Sequence, residues 1–160
     1  MLALDAEIEL VSRGNRRRMP LAEFIVGNRK TQRRPDELLT AVLVPRKTEG
    51  AASAFLKLGA RRYLVISISM VAAVVQIGES GLVEDTRIAV GSCSAVARRL
   101  ISLEGEIIGV AARNGLGELV RREHLAELSP IDDVRATAEY RTDASLTLVR
   151  RALNACVGKN

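Results

Sequence analysis

The 160-residue sequence predicts an α+β fold, in which a small antiparallel sheet of about four strands packs against a three-helix bundle. Strand-like segments occupy residues 37–91, and segments with helical spacing of apolar residues follow from residue 96 onward. Strands followed by helices, rather than alternating with them, are typical of α+β domains. An N-terminal hairpin precedes the sheet. We therefore expect two units, residues 1–27 and residues 28–160, with the boundary within Asn28–Pro35.

The N-terminal hairpin is predicted from an alternating pattern. Its apolar positions are Leu2, Leu4, Ala6, Ile8 and Leu10. Acidic residues occupy three of the intervening positions, which is the period of a half-buried strand. The segment Arg13–Arg16 supplies the turn, and Pro20 ends the returning strand because proline cannot donate a ladder hydrogen bond. A lone hairpin is marginal in water, so another element should cover it, and Leu21–Val26 is predicted to form a short helical turn.

Four segments are predicted to form the antiparallel sheet. They are Glu37–Val44, Ala51–Leu58, Val65–Ile77 and Thr86–Gly91. The first is an aliphatic run between Pro35 and Pro45, which indicates a strand that is covered on both faces. In the second, Phe55 and Lys57 alternate with apolar residues and therefore lie together on the face away from the main core. Helix competes with strand for Ser69–Val75, but its β-branched residues favour strand.

Three helices are predicted in the second half of the chain. The apolar faces are Val96, Leu100 and Leu103 for the first helix and Leu146, Val149, Leu153 and Val157 for the third. Ser92 or Ser94 is a candidate N-cap of the first helix, and Thr142 or Asp143 of the third. The second helix is predicted over residues 116–127, before a Ser-Pro pair that disfavours helical backbone.

The amino-acid composition restricts the classes of function that this protein can have. Hydrophobic residues make up 48% of the chain, but the only aromatic residues are Phe24, Phe55, Tyr63 and Tyr140. This scarcity argues against single-stranded nucleic acid binding, which uses aromatic stacking. The net charge is +5, and Arg13 to Arg34 contains eight basic residues and one acidic residue. We interpret this stretch as a solvated face or a surface for an acidic partner. The alternative is a non-enzymatic basic module that binds nucleic acid or an acidic protein.

Several kinds of site are not indicated. Cys93 and Cys156 are far apart and His124 is the single histidine, which is neither a metal-site nor a disulfide pattern. We expect both cysteines to be buried and His124 to be a surface residue. The apolar run Leu64–Ile77 is shorter than the ~20 residues that span a bilayer, and the N-terminus does not resemble a signal peptide. We predict a soluble cytoplasmic protein with no catalytic or metal-binding residue and no membrane partner.

An ordered set of motifs indicates a family. The motifs are Arg29-Lys30-Thr31, Pro35-x-Glu37-Leu38-Leu39, Val44-Pro45, Ala54-Phe55-x-Lys57 and Arg61. In this order and spacing they resemble the FAD-binding medium subunit of the molybdenum hydroxylases, a family that includes xanthine dehydrogenase and carbon monoxide dehydrogenase. Ser129–Arg135 and Ala138–Arg141 are similar to the end of the same subunit's C-terminal domain. The resemblance makes residues 1–27 the last hairpin of the FAD-binding domain and residues 28–160 the carbon monoxide dehydrogenase flavoprotein C-terminal-like domain.

The resemblance implies FAD as the cofactor and assigns residues to the flavin ring. Leu39 and Lys57 fall at positions that approach the isoalloxazine. Phe55 is added to the cofactor-binding set because it shares the strand face of Lys57. The loop Leu58–Arg62, with Tyr63, borders the same position and is a candidate gate. The resemblance also implies an iron–sulfur subunit and a molybdopterin subunit as partners in electron transfer.

The sequence does not predict a binding site for the pyrophosphate of FAD. A dinucleotide pyrophosphate requires backbone N–H groups on a glycine-rich turn. Gly78-x-x-Gly81 and Gly115-x-Gly117 are the tightest glycine pairs, and both are interpreted as turns or helix ends. In the family the phosphate-binding loops precede the part that this chain resembles. We therefore expect no redox chemistry from this chain alone, and a structural remnant of a truncated gene is a further alternative.

Overall fold

The computed structural model describes residues 1–46, 50–61, 65–113 and 115–158, which form antiparallel sheets, three α-helices and short 3-10 turns. The strands are β1 Glu7–Ser12, β2 Asn15–Pro20, β3 Ile25–Gly27, β4 Lys30–Thr31, β5 Leu38–Leu43, β6 Ala52–Leu58, β7 Ser69–Ile77, β8 Val83–Gly91 and β9 Arg98–Arg99. The helices are α1 Leu21–Phe24, α2 Ile101–Ile107 and α3 Ala138–Val157, and the 3-10 turns are Leu2–Leu4, Leu116–Leu119 and Arg122–Leu125. This mixture agrees with the predicted α+β class.

The first sheet has the order β2-β1-β5. The predicted hairpin is confirmed, with Ser12 opposite Asn15 and Gly14 at φ 81° in the turn between them. Phe24 of α1 covers the hairpin and is buried together with Ile8 and Leu10. The short helical turn after Pro20 thus provides the cover that the isolated hairpin lacks.

The strand β5 lies in a different place from the one predicted. The sequence assigned Glu37–Val44 to the same sheet as β6, whereas β5 pairs with β1 and extends the hairpin. This pairing places Val42 opposite Ile8 and, after a bulge beside Glu9 and Leu10, places Leu39 opposite Leu10, so that apolar residues of β5 extend the apolar face of β1. The predicted boundary within Asn28–Pro35 therefore separates strands that form one sheet.

The second sheet has the order β6-β7-β8-β9. Its fourth strand is the two-residue β9, which lies within the segment predicted as the first helix, so this helix begins at Ile101 and not before Val96. The strand β7 begins at Ser69 instead of Val65, and β8 begins at Val83 instead of Thr86. The inner face of β6 consists of partly buried residues that pack against the main core, namely Ala52, Ala54, Leu56 and Leu58.

The predicted three-helix bundle is not formed by the described residues, because the second half of the chain contains two α-helices and two 3-10 turns. Helix α3 contacts β6 and β7, and α2 contacts β8. The segment predicted as the second helix forms two 3-10 turns, since Val120 between them has an extended backbone. Helix α3 is capped by Thr137 instead of Thr142 or Asp143, and it ends before Gly158 as predicted.

The N-terminal residues join the two sheets. Ala3 packs with Val74 and Ala89 on the outer face of the second sheet. Asp5 then accepts a hydrogen bond of 2.7 Å from Arg99 of β9 and pairs with Arg87 of β8 at 3.1 Å. The position of the hairpin sheet relative to the second sheet is therefore held by apolar packing and by ion pairs. Within the described residues, no helix combines the length and hydropathy that a membrane crossing requires.

Candidate functional site

The predicted site begins on the outer face of β6. The strand alternates as expected, and Phe55, with 63% of its surface exposed, and Lys57 lie on the face opposite the core. The Lys57 ammonium donates a hydrogen bond of 2.8 Å to the carbonyl oxygen of Val65. This bond anchors one of the three ammonium N–H groups, and the charge stays at an exposed position where a ligand can reach it.

Small residues form the surface beside Phe55 and Lys57. Phe55 is opposite Ala72, and Ala72 is in turn opposite Ala89 of β8, which is buried beneath Ala3 of the N-terminal segment. Lys57 is opposite Met70, whose side chain lies against the backbone of Gly91, since a Cβ on Gly91 would come within 2.5 Å of the Met70 Cε. An exposed aromatic ring beside an exposed cation on one strand face fits one side of a flat ring with electron-accepting character.

Leu39 lies in the other sheet. It is on β5 opposite Leu10, and 45% of its surface is exposed. Strand alternation therefore brings Phe55 and Lys57 together but does not by itself join Leu39 to them. Leu39 belongs to a row of exposed apolar residues along the edge strand, which are Leu38, Leu39, Val42 and Val44. The role of all three residues in binding a cofactor stays a prediction.

The buried carboxylate of Glu37 fixes the start of β5. It accepts hydrogen bonds of 2.6 and 2.9 Å from the Arg17 guanidinium and one of 2.7 Å from the backbone N–H of Arg34. The bonds from Arg17 are the main cause that lowers the pKa of Glu37 from its ordinary 4.5 to about 2, against the opposing effect of burial. Arg17 also donates to the carbonyl oxygen of Gln32, so the basic linker is held against the hairpin.

Sequence reasoning missed this Glu37–Arg17 pair. Arg16, Arg17 and Arg18 were interpreted as one basic surface. In β2, however, Arg17 is opposite the buried Leu10, whereas Arg18 is opposite Glu9 and pairs with it. The alternation of β2 was the available signal, because it sends the middle arginine to the apolar face, where it needs a buried acidic partner.

We expect the protein to lose stability in acid through Glu37. Because its pKa is lower in the folded state, its contribution is complete above pH 4.5 and is lost as the pH falls toward about 2. Glu37→Gln should be less stable than the unchanged protein at neutral pH and should show a weaker decrease in stability between these pH values. Urea denaturation across that range measures both effects.

The exposed neighbour Asp36 provides the control for this experiment. Asp36→Asn makes the same chemical change one residue away and should leave the acid dependence nearly unchanged. Equal acid dependence of Glu37→Gln and the unchanged protein would contradict the assignment.

His124 differs from its prediction. The sequence indicated a surface histidine, but His124 is 3% exposed and lies in a 3-10 turn. Its Nδ1 accepts a hydrogen bond from the backbone N–H of Arg121 at 3.0 Å, so its Nε2 carries the proton and donates to Glu106 at 3.0 Å. This contact lowers the pKa of Glu106. Both histidine nitrogens are thus used in local structure.

The glycine pairs are structural, as predicted. Gly78 and Gly81 form the turn between β7 and β8, where Gly81 N–H donates to the Gly78 carbonyl oxygen. Gly115 precedes a 3-10 turn with φ 95°, and Gly117 approaches the backbone of α3. These pairs offer no cradle for a pyrophosphate. Of the candidate gate, Arg62 and Tyr63 lie outside the described residues.

Family models match both parts of the chain. Residues 54–156 match the CO dehydrogenase flavoprotein C-terminal domain. Residues 1–47 match the FAD binding domain in molybdopterin dehydrogenase. The gap between the two matches, residues 48–53, lies at the end of the segment that connects β5 to β6 and at the start of β6.

Individual relatives agree with these matches. The 6-hydroxypseudooxynicotine dehydrogenase complex subunit alpha of Paenarthrobacter nicotinovorans is 30% identical over 155 residues, which cover 96% of this chain and 51% of that protein. The carbon monoxide dehydrogenase medium chain of Hydrogenophaga pseudoflava is 27% identical, with coverages of 96% and 53%. A solved carbon monoxide dehydrogenase from the same organism superposes with a TM-score of 0.88 at 26% identity over 99% of this chain and 54% of that one. The chain thus spans about half the length of the curated relatives it matches.

Proposed function

Because this chain belongs to the CO dehydrogenase flavoprotein C-terminal domain family, we propose that it forms the ring-facing part of a FAD site in the medium subunit of a molybdenum-hydroxylase-type oxidoreductase. The observation that carries the proposal is the exposed Phe55–Lys57 face in a chain that matches both family models. When bound, the flavin would supply the electron transfer. The residues of this chain bind and orient the ring.

Each predicted site residue has a separate role. Lys57 places a cation where negative charge develops on the reduced ring, and its bond to Val65 limits the positions of the ammonium. Phe55 offers an aromatic surface for the ring or for its methylated edge. Leu39 supplies apolar contact from the edge of the first sheet. The Glu37–Arg17 pair is a positioning element, because it holds the strand that carries Leu39.

The residues present fit the ring end of FAD and not its phosphates. The described glycine pairs serve turns and a close helix contact, as shown above. We therefore propose that the isolated chain neither holds FAD tightly nor catalyses a redox reaction. The exposed apolar row on β5 is the surface that a phosphate-binding part would cover in a complete flavin site.

Other subunits are the proposed partners. One relative carries the name of a subunit of a dehydrogenase complex, which supports assembly with further chains. We assign an iron–sulfur and a molybdopterin subunit as these partners. Within Arg13–Arg34, the side chains of Arg13, Arg29 and Lys30 are exposed, so this stretch is the candidate docking surface. The comparisons give the nucleic-acid-binding alternative no support.

We place the division between the two units after β5 instead of within Asn28–Pro35. The pairing of β5 with β1 supports this placement, as does the break between the two family matches. The first unit then contains the hairpin, α1 and β5, and the second begins at β6.

The proposal that Phe55 and Lys57 face the flavin can be tested by measuring binding of the isoalloxazine ring. Riboflavin carries the isoalloxazine without the pyrophosphate, so it should shift the backbone amide resonances of Phe55 and Lys57 in the 160-residue chain. FAD should bind no more tightly than riboflavin, because nothing in the described residues holds its phosphates. Stoichiometric, tight FAD binding would refute the proposal that this chain binds only the ring end of FAD. Unchanged amide resonances of Phe55 and Lys57 with both ligands would refute the proposal that these residues form the ring-binding surface.

The Lys57 side chain has its own prediction. Lys57→Met should weaken binding of reduced riboflavin about two- to fivefold more than binding of oxidised riboflavin, since an exposed charge contact contributes less than about 1 kcal/mol. Anaerobic titration followed by the same amide shifts measures this difference. The matched control is Lys30→Met, which removes an exposed lysine from the first unit and should have no such effect.

A further inference from the structure

A cavity lies on the side of the molecule where β7 begins and β8 ends. Its volume is about 580 Å³, and four serines from three distant segments line it, namely Ser67, Ser92, Ser94 and Ser129. Ile66 and Ile131 form an apolar rim and are 67% and 69% exposed. A concave site with a few convergent polar groups and an apolar wall is the usual form of a small-molecule site. None of these residues belongs to the proposed flavin surface.

Arg141 forms the rigid base of this cavity. Its side chain is 3% exposed, and its terminal N–H groups donate to the carbonyl oxygens of Ile68 and Ser92 at 2.6 and 3.1 Å. They also donate to Asp133 at 2.8 Å. The Arg141 Nε is buried and has no hydrogen-bond partner among the described residues. The hydrogen bonds to Ile68, Ser92 and Asp133 therefore hold a fixed positive charge at the base of the cavity.

The charges in the cavity leave an excess of one positive charge. Asp133 accepts hydrogen bonds from both Arg135 and Arg141, so a single carboxylate faces two guanidinium groups. The Nε and one terminal nitrogen of Arg135 are used in this pair. Its other terminal nitrogen makes no hydrogen bond recorded within the described residues. Since 37% of the Arg135 side chain is exposed, that nitrogen is available to an incoming acceptor.

Ser92 adds an unusual backbone and a free hydroxyl. Its φ of 66° lies in the left-handed region, which non-glycine residues seldom adopt. Its carbonyl oxygen accepts from Arg141, which holds the strained residue in place. The hydroxyls of Ser92 and Ser129 make no hydrogen bond recorded within the described part of the chain, and both line the cavity. Strain of this kind is concentrated at binding sites.

We propose that this cavity binds the carboxylate of a small organic acid. Arg135 and the hydroxyls of Ser92 and Ser129 donate to the carboxylate oxygens, and Arg141 supplies the fixed charge at the base. Ile66 and Ile131 pack against the apolar remainder of the ligand. The single excess positive charge matches a monoanion, and the apolar rim favours an organic acid over a bare inorganic anion.

The proposal can be tested by measuring the binding of benzoate to the cavity. Two further ligands serve as comparisons: benzamide, the neutral isostere of benzoate, and inorganic phosphate. Benzoate should produce saturable shifts in the backbone amides of Ser92, Ser94, Ser129 and Arg135 in the 160-residue chain. Benzamide should bind at least about tenfold more weakly, because hydrogen bonds to a charged group are roughly twice as strong as neutral ones. Absence of benzoate shifts at these amides would overturn the proposal. Phosphate binding as tight as that of benzoate would also overturn it, because it would show a bare-anion site.

Arg135→Gln tests the residue assignment and retains Arg141 with its hydrogen bonds to the carbonyl oxygens of Ile68 and Ser92. It should weaken benzoate binding about tenfold, since it removes a charge-assisted donor. Arg122→Gln is the matched control, because Arg122 is also exposed and also pairs with an aspartate, Asp143. It should leave benzoate affinity unchanged. Equal affinity in both variants would overturn the assignment of Arg135 to the cavity.

Discussion

Replacing Gly117 with alanine is expected to destabilise the protein by about 3 kcal/mol. Gly117 is buried in the 3-10 turn that packs on α3. A Cβ at this position would lie 2.3 Å from the carbonyl oxygen of Arg150 and 2.9 Å from its Cα. These are backbone atoms of a long helix, so they cannot move aside as a flexible side chain would.

The clash would also disrupt the polar contacts between the turn and the helix. The Gly117 N–H donates to the Asn154 side chain at 2.8 Å, and Arg150 donates to the carbonyl oxygen of Val120 at 2.8 and 3.1 Å. If the turn moves outward to admit the methyl group, these bonds lengthen and buried apolar surface of the core becomes exposed. Thermal unfolding followed by circular dichroism measures the combined loss.

Gly105 provides the matched control. It lies in α2, and a Cβ built there meets nothing within 4 Å. Gly105→Ala should therefore stabilise the protein by roughly 0.5 to 1 kcal/mol, through the better helix propensity of alanine. If Gly117→Ala destabilises the protein and Gly105→Ala stabilises it, the steric clash at Gly117 is distinguished from the general effect of alanine on helix propensity. Similar small effects at both positions would contradict the close approach at Gly117.

Replacing Glu104 with alanine is expected to cost about 3 kcal/mol as well. Only 8% of the Glu104 side chain is exposed. Its Oε1 accepts hydrogen bonds from the backbone N–H of the fully buried Ile88 at 2.8 Å and from Arg99 at 2.6 Å, and its Oε2 accepts a second bond from Arg99. Truncation leaves one buried N–H unpaired and removes a partner of Arg99. Equilibrium unfolding in urea measures this loss.

Glu104→Gln separates the contribution of the hydrogen bond from the Ile88 N–H from that of the ion pair with Arg99. The glutamine oxygen can still accept from the Ile88 N–H, whereas the negative charge opposite Arg99 is lost. We expect this variant to be about half as destabilised as the alanine variant. Equal stabilities of the two variants would mean that the Ile88 bond contributes nothing.

The Glu104 network also bears on the proposed flavin surface. Arg99 bonds both to Glu104 and to Asp5, which belongs to the N-terminal segment that joins the two sheets. Loosening Arg99 should therefore increase the freedom of the first sheet, which carries Leu39, relative to the second sheet, which carries Phe55 and Lys57. In an amide-exchange experiment, Glu104→Ala should accelerate exchange in β1 more than in the central strand β7.

Local patterns were sufficient for several elements. The alternation of β6 correctly separated Phe55 and Lys57 from the core-facing residues, since a strand sends successive side chains to opposite faces. The hairpin turn at Gly14, the buried free cysteines and the last turn of α3 before Gly158 were predicted for similarly local reasons. The contribution of Leu39, Phe55 and Lys57 to a cofactor site rests on resemblance and stays a prediction.

Contacts between distant segments were decided only by the tertiary structure. The sequence could not indicate that β5 pairs with β1, which acidic residue pairs with Arg17, or that His124 is buried against Glu106. The serine-lined cavity likewise combines residues that are far apart in the chain. The spacing of apolar residues indicates which face of a helix or strand is buried. Many different partner elements could cover the same apolar face. Packing and charge pairing in three dimensions select one of them, so the chain by itself determined the faces and the fold determined what each face meets.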